Sequence, residues 1–148
     1  MTKIMATTLA IMNLVSSNSI HMNDLVSKYV ENYDTNKKGN TTIENLLLHN
    51  AGLPYDYPGA LPQTQEEVID YIRYIKPVTP VGSKFSYSNL GFLLLSKIVE
   101  KITKKNFTDY TSQNRIFAGL KDTGFNPPVD QWYRIAPAEY DRCKFYVI

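Results

Sequence analysis

The sequence has a single cysteine, Cys143, among 148 residues. An internal disulfide needs two, so no such bridge braces the chain, and a cysteine-based metal cage is excluded with it. Long apolar runs are also missing. The longest are of the size of Phe92-Leu93-Leu94-Leu95, far below the roughly 18 apolar residues of a membrane-spanning helix. Neither sign of charge dominates: 16 Lys and Arg against 14 Asp and Glu give +2. So even a balance argues against a nucleic-acid binder or a polybasic membrane anchor. The two histidines, His21 and His49, lie far apart with no clustered carboxylates, which disfavours a zinc site. Internal repeats and low-complexity tracts are absent, and strand-like alternation is scarce.

What is present is a globular composition: 43% hydrophobic and 20% charged residues, with 7 Gly and 8 Pro. The length suits one domain with a real core. Most of the chain reads as short helices joined by turn-rich loops. The first, from Thr2 to about Ser16, is apolar nearly all round (Ile4, Met5, Leu9, Ile11, Met12, Leu14, Val15), which predicts a central position. The same stretch, with its basic start and its Ser16-Ser17-Asn18-Ser19 tail, also fits a secretory leader, and composition alone leaves the two open. A helical turn or two from Asn23 or Asp24 would carry Leu25, Val26 and Tyr29. Asp34 to Asn40 reads as a polar loop.

Thr41-Thr42-Ile43-Glu44 fits a capping box between Thr41 and Glu44, opening a helix with Ile43, Leu46, Leu47 and Leu48 that ends at Gly52 before Pro54. Thr64-Gln65-Glu66-Glu67 is a second capping box; its helix carries Val68, Ile69, Ile72 and Ile75 and stops before Pro77. Pro77 to Tyr87 reads as extended. Ser88 or Asn89 caps a helix from about Leu90 to Thr103 with a Leu94, Leu95, Ile98, Ile102 stripe. A last helix is expected from about Thr108 to Phe117, and the tail from Asn126 onward is loop-like.

Met1-Thr2-Lys3, Leu47-Leu48-His49-Asn50-Ala51-Gly52-Leu53-Pro54 and Phe85-Ser86-Tyr87-Ser88-Asn89-Leu90-Gly91-Phe92 together resemble the serine β-lactamase and penicillin-binding-protein superfamily, in its class C-like and esterase-like branch. Met1-Thr2-Lys3 resembles the end of a Ser-x-Thr-Lys motif on a buried helix. Leu47-Leu48-His49-Asn50-Ala51-Gly52-Leu53-Pro54 is similar to the family's Leu-Leu-x-His-x-x-Gly-Leu-Pro loop. Phe85-Ser86-Tyr87-Ser88-Asn89-Leu90-Gly91-Phe92 is similar to its Tyr-x-Asn motif and the helix that follows. Gly119 to Phe125 and Arg134 to Tyr140 also look like downstream segments of that branch, so the resemblance covers about the whole chain. It favours the buried helix over the leader at the N-terminus. It implies a mainly α chain: the helical part of an α+β β-lactamase/transpeptidase-like fold with most of the sheet missing, a single partial domain over residues 1–148.

The motifs have mechanical reasons. Serine and lysine three apart on a helix share a face, and a serine hydroxyl needs a base to become a nucleophile. A lysine in apolar surroundings loses proton affinity, which suits it to that task. A tyrosine opposite can pass the proton to the leaving group, and an asparagine two residues on can bond a substrate carbonyl. The resemblance gives Lys3 and Tyr87 these catalytic roles and Asn89 the substrate contact. His49, Gly52 and Pro54 read as a structural loop, with His49 bonding backbone carbonyls. No cofactor or metal is implied.

The chain departs from the family in two places. The nucleophilic serine would fall one position before Met1, and the Lys-Thr-Gly or His-x-Gly strand motif that completes the site is not found up to Ile148. The expectation is therefore a fragment of a serine hydrolase acting on an amide, ester or β-lactam, inactive by itself. The alternative is a non-catalytic helical module that binds a peptidoglycan-like peptide or acyl ligand. The partner is a small molecule or peptide, not nucleic acid. His21 and the pairs Lys37-Lys38 and Lys104-Lys105 read as ordinary surface, and the Asn40-Thr41-Thr42 and Asn106-Phe107-Thr108 triplets are glycosylation acceptors by pattern, meaningful only in a secreted eukaryotic protein. Trp132, Tyr133, Tyr140 and Phe145 are expected to pack the tail.

Overall fold

The computed structural model describes residues 3–58, 64–113, 125 and 129–130. It begins with a π-helical segment, Lys3–Thr8, that runs into α1, Leu9–Ser16. The wide turn has a local partner: the Thr8 hydroxyl donates to the Lys3 carbonyl at 3.1 Å, the five-residue reach of a π turn. A 3-10 turn, Val26–Lys28, follows. Then come α2 (Ile43–Leu47), α3 (Gln65–Tyr74), α4 (Asn89–Thr103) and α5 (Phe107–Gln113). Among the described residues there is no strand, and the only pairing of that type is an isolated antiparallel bridge between Leu25 and Thr42. The mainly α expectation holds.

Helix α4 packs against α1, α2, α3 and α5. Its buried Leu90, Phe92, Leu94, Leu95, Ile98 and Val99 meet Ile11, Leu14, Ile43, Leu46, Val68, Ile69 and Ile72 in one core. Leu94, Leu95 and Ile98 follow helical spacing, as their pattern predicts. Gly91 faces the Leu46 side chain, 3.7 Å from where a Cβ would stand, so α2 seats closely on the start of α4.

The caps decide the boundaries. Thr64 accepts from the Glu67 amide while the Glu67 carboxylate accepts from the Thr64 amide, the reciprocal box expected from the sequence. At α2 the box is shifted by one residue. Thr42, not Thr41, is the cap, and Asn45 rather than Glu44 reciprocates, while Thr41 is buried. Helix α2 is also shorter than expected: it stops at Leu47, and His49 already has a left-handed backbone at φ 55°. Leu48 consequently points to solvent.

Three other expectations are corrected. Pro77 to Tyr87 contains turns instead of continuous extension. The first helix is not enclosed: Ala6, Ala10, Ile11 and Leu14 are buried, but Ile4 is 71% exposed and Met5, Leu9 and Met12 are exposed beside it, because no described element lies on that face. Lys38 is not solvated. It is fully buried, and its Nζ donates to the carbonyls of Arg73 and Ile75 at 2.8 and 2.7 Å. It thus caps the C-terminus of α3, where free carbonyls and the helix dipole favour a cation. Its ammonium also lies 5.4 Å from the Tyr33 ring centre. Helix α5 is seen from Phe107 to Gln113; its expected continuation to Phe117 and the tail aromatics Trp132, Tyr133, Tyr140 and Phe145 lie outside the described residues. Among those residues, no helix is long and apolar enough to cross a membrane.

Candidate functional site

Two loops meet at the start of α4, and hydrogen bonds fix one against the other. The loop after α2 supplies His49 through Asp56. The amide of Ser86 donates to the His49 carbonyl at 2.6 Å, that of Ser88 to His49 Nδ1 at 3.1 Å, and that of Asn89 to the Tyr55 carbonyl at 2.7 Å. Ser88, buried, is the N-cap of α4: its Oγ accepts from the Gly91 amide and donates to the Pro54 carbonyl at 2.6 Å. Tyr87 and Asn89 flank this cap and inherit its rigidity.

The Gly-Leu-Pro segment is shaped by Gly52. It has φ +72°, and a Cβ there would stand 2.1 Å from the Thr79 carbonyl oxygen, a position only glycine can fill. This close approach is held by bonds from the Val78 amide to the Gly52 carbonyl and from the Gly82 amide to the Asn50 carbonyl, both 2.8 Å.

Lys3 reaches the same place from the π-helical segment. Its Nζ stands 5.3 Å from the centre of the Tyr87 ring and 5.9 Å from that of Phe92, within the range of cation–π attraction. Residues 84 positions apart in the chain are thereby brought to one cleft. Tyr87 itself is 41% exposed. The Asn89 amide donates to an Asp56 carboxylate oxygen at 2.9 Å. This bond engages one of the two N–H groups of its side chain.

His49 sits behind this pair. Its ring stacks on Tyr87 at 4.4 Å with 29° between planes, and lies 5.0 Å from Phe92 and 5.7 Å, edge-on, from Phe85. Burial, with Lys3 nearby as a second cause, holds its pKa below the ordinary histidine value. The sequence reading has this side chain bonding carbonyls; the structure has Nδ1 accepting an amide proton instead.

Sequence reasoning passed over Tyr55 and Asp56. Tyr55 is exposed and its ring lies 5.8 Å from that of Tyr87. Their only signal was position, directly after Gly-Leu-Pro. Among the described residues, no three His, Cys, Asp or Glu side chains gather to hold a metal.

The Beta-lactamase family model matches residues 1–144. A putative D-alanyl-D-alanine carboxypeptidase of Escherichia coli O157:H7 is 35% identical over 142 residues, covering 85% of this chain and 32% of that protein. Among solved structures, a class C β-lactamase from Rhodobacter sphaeroides is 27% identical with a TM-score of 0.73, covering 91% of this chain and 38% of the other. A β-lactamase/D-alanine carboxypeptidase from Yersinia pestis, solved with citrate, is 25% identical with a TM-score of 0.76, covering 90% and 41%. The chain thus spans about a third of the length of the curated relatives it matches. Motifs, helical architecture and relatives agree: the chain belongs to the β-lactamase family, within the serine β-lactamase and penicillin-binding-protein superfamily of hydrolases.

Proposed function

We propose that residues 1–148 form the helical part of a serine acyl-transfer domain whose substrates are amides, esters or β-lactams. Peptides ending in D-alanyl-D-alanine are the first class to test, in keeping with the carboxypeptidase relatives. The supporting observation is the Lys3 ammonium over the Tyr87 ring, 5.3 Å from its centre. In this reading a serine three residues before Lys3 attacks the substrate carbonyl and loses its proton to Lys3. Tyr87 relays a proton to the departing amine or alcohol, leaving a serine ester that water cleaves. Asn89 donates to a carbonyl of the substrate's acyl side.

The 148-residue sequence has no serine three residues before Lys3, so this chain alone should form no acyl-enzyme. The same cleft can still hold an acyl or peptide ligand reversibly, which is how a non-catalytic module would use it. Labelled penicillin and a fluorophosphonate probe test the first point: stable covalent labelling of the 148-residue chain would overturn it. The roles are tested in a protein that supplies the serine. There Lys3→Met and Tyr87→Phe should each slow acylation at least about a hundredfold, the lower end of what a general acid or base contributes. Unchanged rates would refute the assignment.

A further inference from the structure

His49 stacks on Tyr87, lies against Phe92 and accepts from the Ser88 amide, and the chemistry proposed above gives it no part. Its geometry is unusual for a loop residue. The backbone is left-handed, φ 55°, a conformation uncommon outside glycine though histidine tolerates it better than most. That turn puts the carbonyl on the Ser86 amide and the ring against Tyr87. A backbone N–H only donates, so the 3.1 Å contact from the Ser88 amide requires an unprotonated Nδ1. The proton of the neutral ring therefore resides on Nε2. Ser88 lies between Tyr87 and Asn89, so this bond joins those of Ser88 Oγ to Pro54 and of the Asn89 backbone to Tyr55 in holding both.

We infer that His49 is a positioning residue: as neutral imidazole it holds Tyr87 by its face and Ser88 by Nδ1, and gaining a proton at Nδ1 breaks the Ser88 amide bond and loosens Tyr87 against the Gly-Leu-Pro loop, while the bonds of Ser86, Ser88 Oγ and Asn89 to that loop remain. This inference rests on the reading of Tyr87 and Asn89 given above for its catalytic meaning, but its structural content stands apart from it. The titratable groups shown against the ring are Lys3, from the π-helical segment, and Tyr87, from the approach to α4; Phe85 and Phe92 complete its surroundings. A cationic imidazolium would face the Lys3 ammonium and at the same time lose its acceptor. Both effects oppose protonation within the intact site, in line with the lowered pKa.

The test is nuclear magnetic resonance on the 148-residue chain, which needs no turnover. The Ser88 amide and the Tyr87 ring protons are followed as pH falls from about 7.5 to below the free imidazole value of about 6.5. Both should move together with the His49 ring, with one midpoint below that value, and Ser88 amide exchange, corrected for intrinsic rate, should quicken about tenfold, the loss of one good hydrogen bond. His49→Asn retains an acceptor and tolerates the left-handed backbone. It should keep the Ser88 amide protected while abolishing the pH response and shifting the Tyr87 ring signals. His49→Phe retains a ring without the acceptor and should expose the Ser88 amide at every pH. A Ser88 amide indifferent to His49 titration, or the same pH response in His49→Asn, would overturn the inference. Failure of the acyl-transfer reading would appear separately, as unchanged acylation in Lys3→Met, with these resonances behaving as described.

Discussion

Replacing Lys38 by methionine removes a charge that sequence composition assigns to solvent and the structure assigns to the core. The apolar stem is nearly conserved in the substitution, so packing around Tyr33 changes little and the loss is electrostatic. Two hydrogen bonds disappear, to the Arg73 and Ile75 carbonyls at 2.8 and 2.7 Å. Bonds from a charged donor contribute about 1.5–3 kcal/mol each. Against this stands the desolvation of the ammonium, which pulls the Lys38 pKa down and which the variant no longer bears. The carbonyls, at a helix end, can recover part of their bonding from water. The balance predicts a loss of about 2–3 kcal/mol, read as a lower denaturation midpoint in urea with an unchanged slope. Amide exchange should rise most in the last turn of α3. A Lys38→Met protein as stable as the parent would refute the assignment of Lys38 as the α3 cap.

Other consequences follow from the same geometry. Gly52→Ala places a methyl 2.1 Å from the Thr79 oxygen in a left-handed conformation. It should cost more than about 2 kcal/mol, since the backbone preference alone is about 1–2 kcal/mol, and displace the Val78 and Gly82 amides in spectra. Asp24 is held at about 2: burial alone would raise its pKa, but the Tyr29 hydroxyl, the His21 amide and Lys28 together outweigh it. Its folded value lies below the unfolded 3.8, so its contribution is present above that pH and is lost as pH falls through the folded value. Asp24→Asn should flatten the acid limb of the stability curve between those two values. The exposed Ile4, Met5, Leu9 and Met12 face should bind a hydrophobic dye and promote association; Leu9→Glu with Met12→Lys should reduce both without lowering thermal stability, and a parent chain that binds no dye would contradict it.

Much of the fold was legible because local chemistry and packing agree there. The Thr64 and Glu67 box and the Leu94, Leu95, Ile98 stripe each state one answer in sequence, while the α4 cap, open between Ser88 and Asn89, is settled for Ser88 by the structure. Where two adjacent residues offer the same chemistry, the sequence pattern chose the wrong one, pairing Thr41 with Glu44 where the structure pairs Thr42 with Asn45. Thr41 and Thr42 are both able caps, and burial of Thr41 with reciprocation by Asn45 resolves the choice only in three dimensions. Lys38 was hidden for a different reason: its partners are carbonyls about 35 residues away, and a polar loop gives no sign of them. The site was legible in parts. The family motifs name Lys3, Tyr87 and Asn89, while the hydrogen-bond role of His49 and the neighbouring Tyr55 and Asp56 depend on how two loops face each other.

The first helical turn and the approach to α4 meet where Lys3 lies against Tyr87 and Phe92. Nuclear Overhauser contacts between the Lys3 ε-methylene and the aromatic protons of Tyr87 and Phe92 measure this directly. Cross-peaks to both rings are expected, and Lys3→Met should remove the ammonium from the Tyr87 face and shift the Tyr87 ring signals. Lys3 methylene signals at free-chain positions, with no contact to either ring, would contradict it.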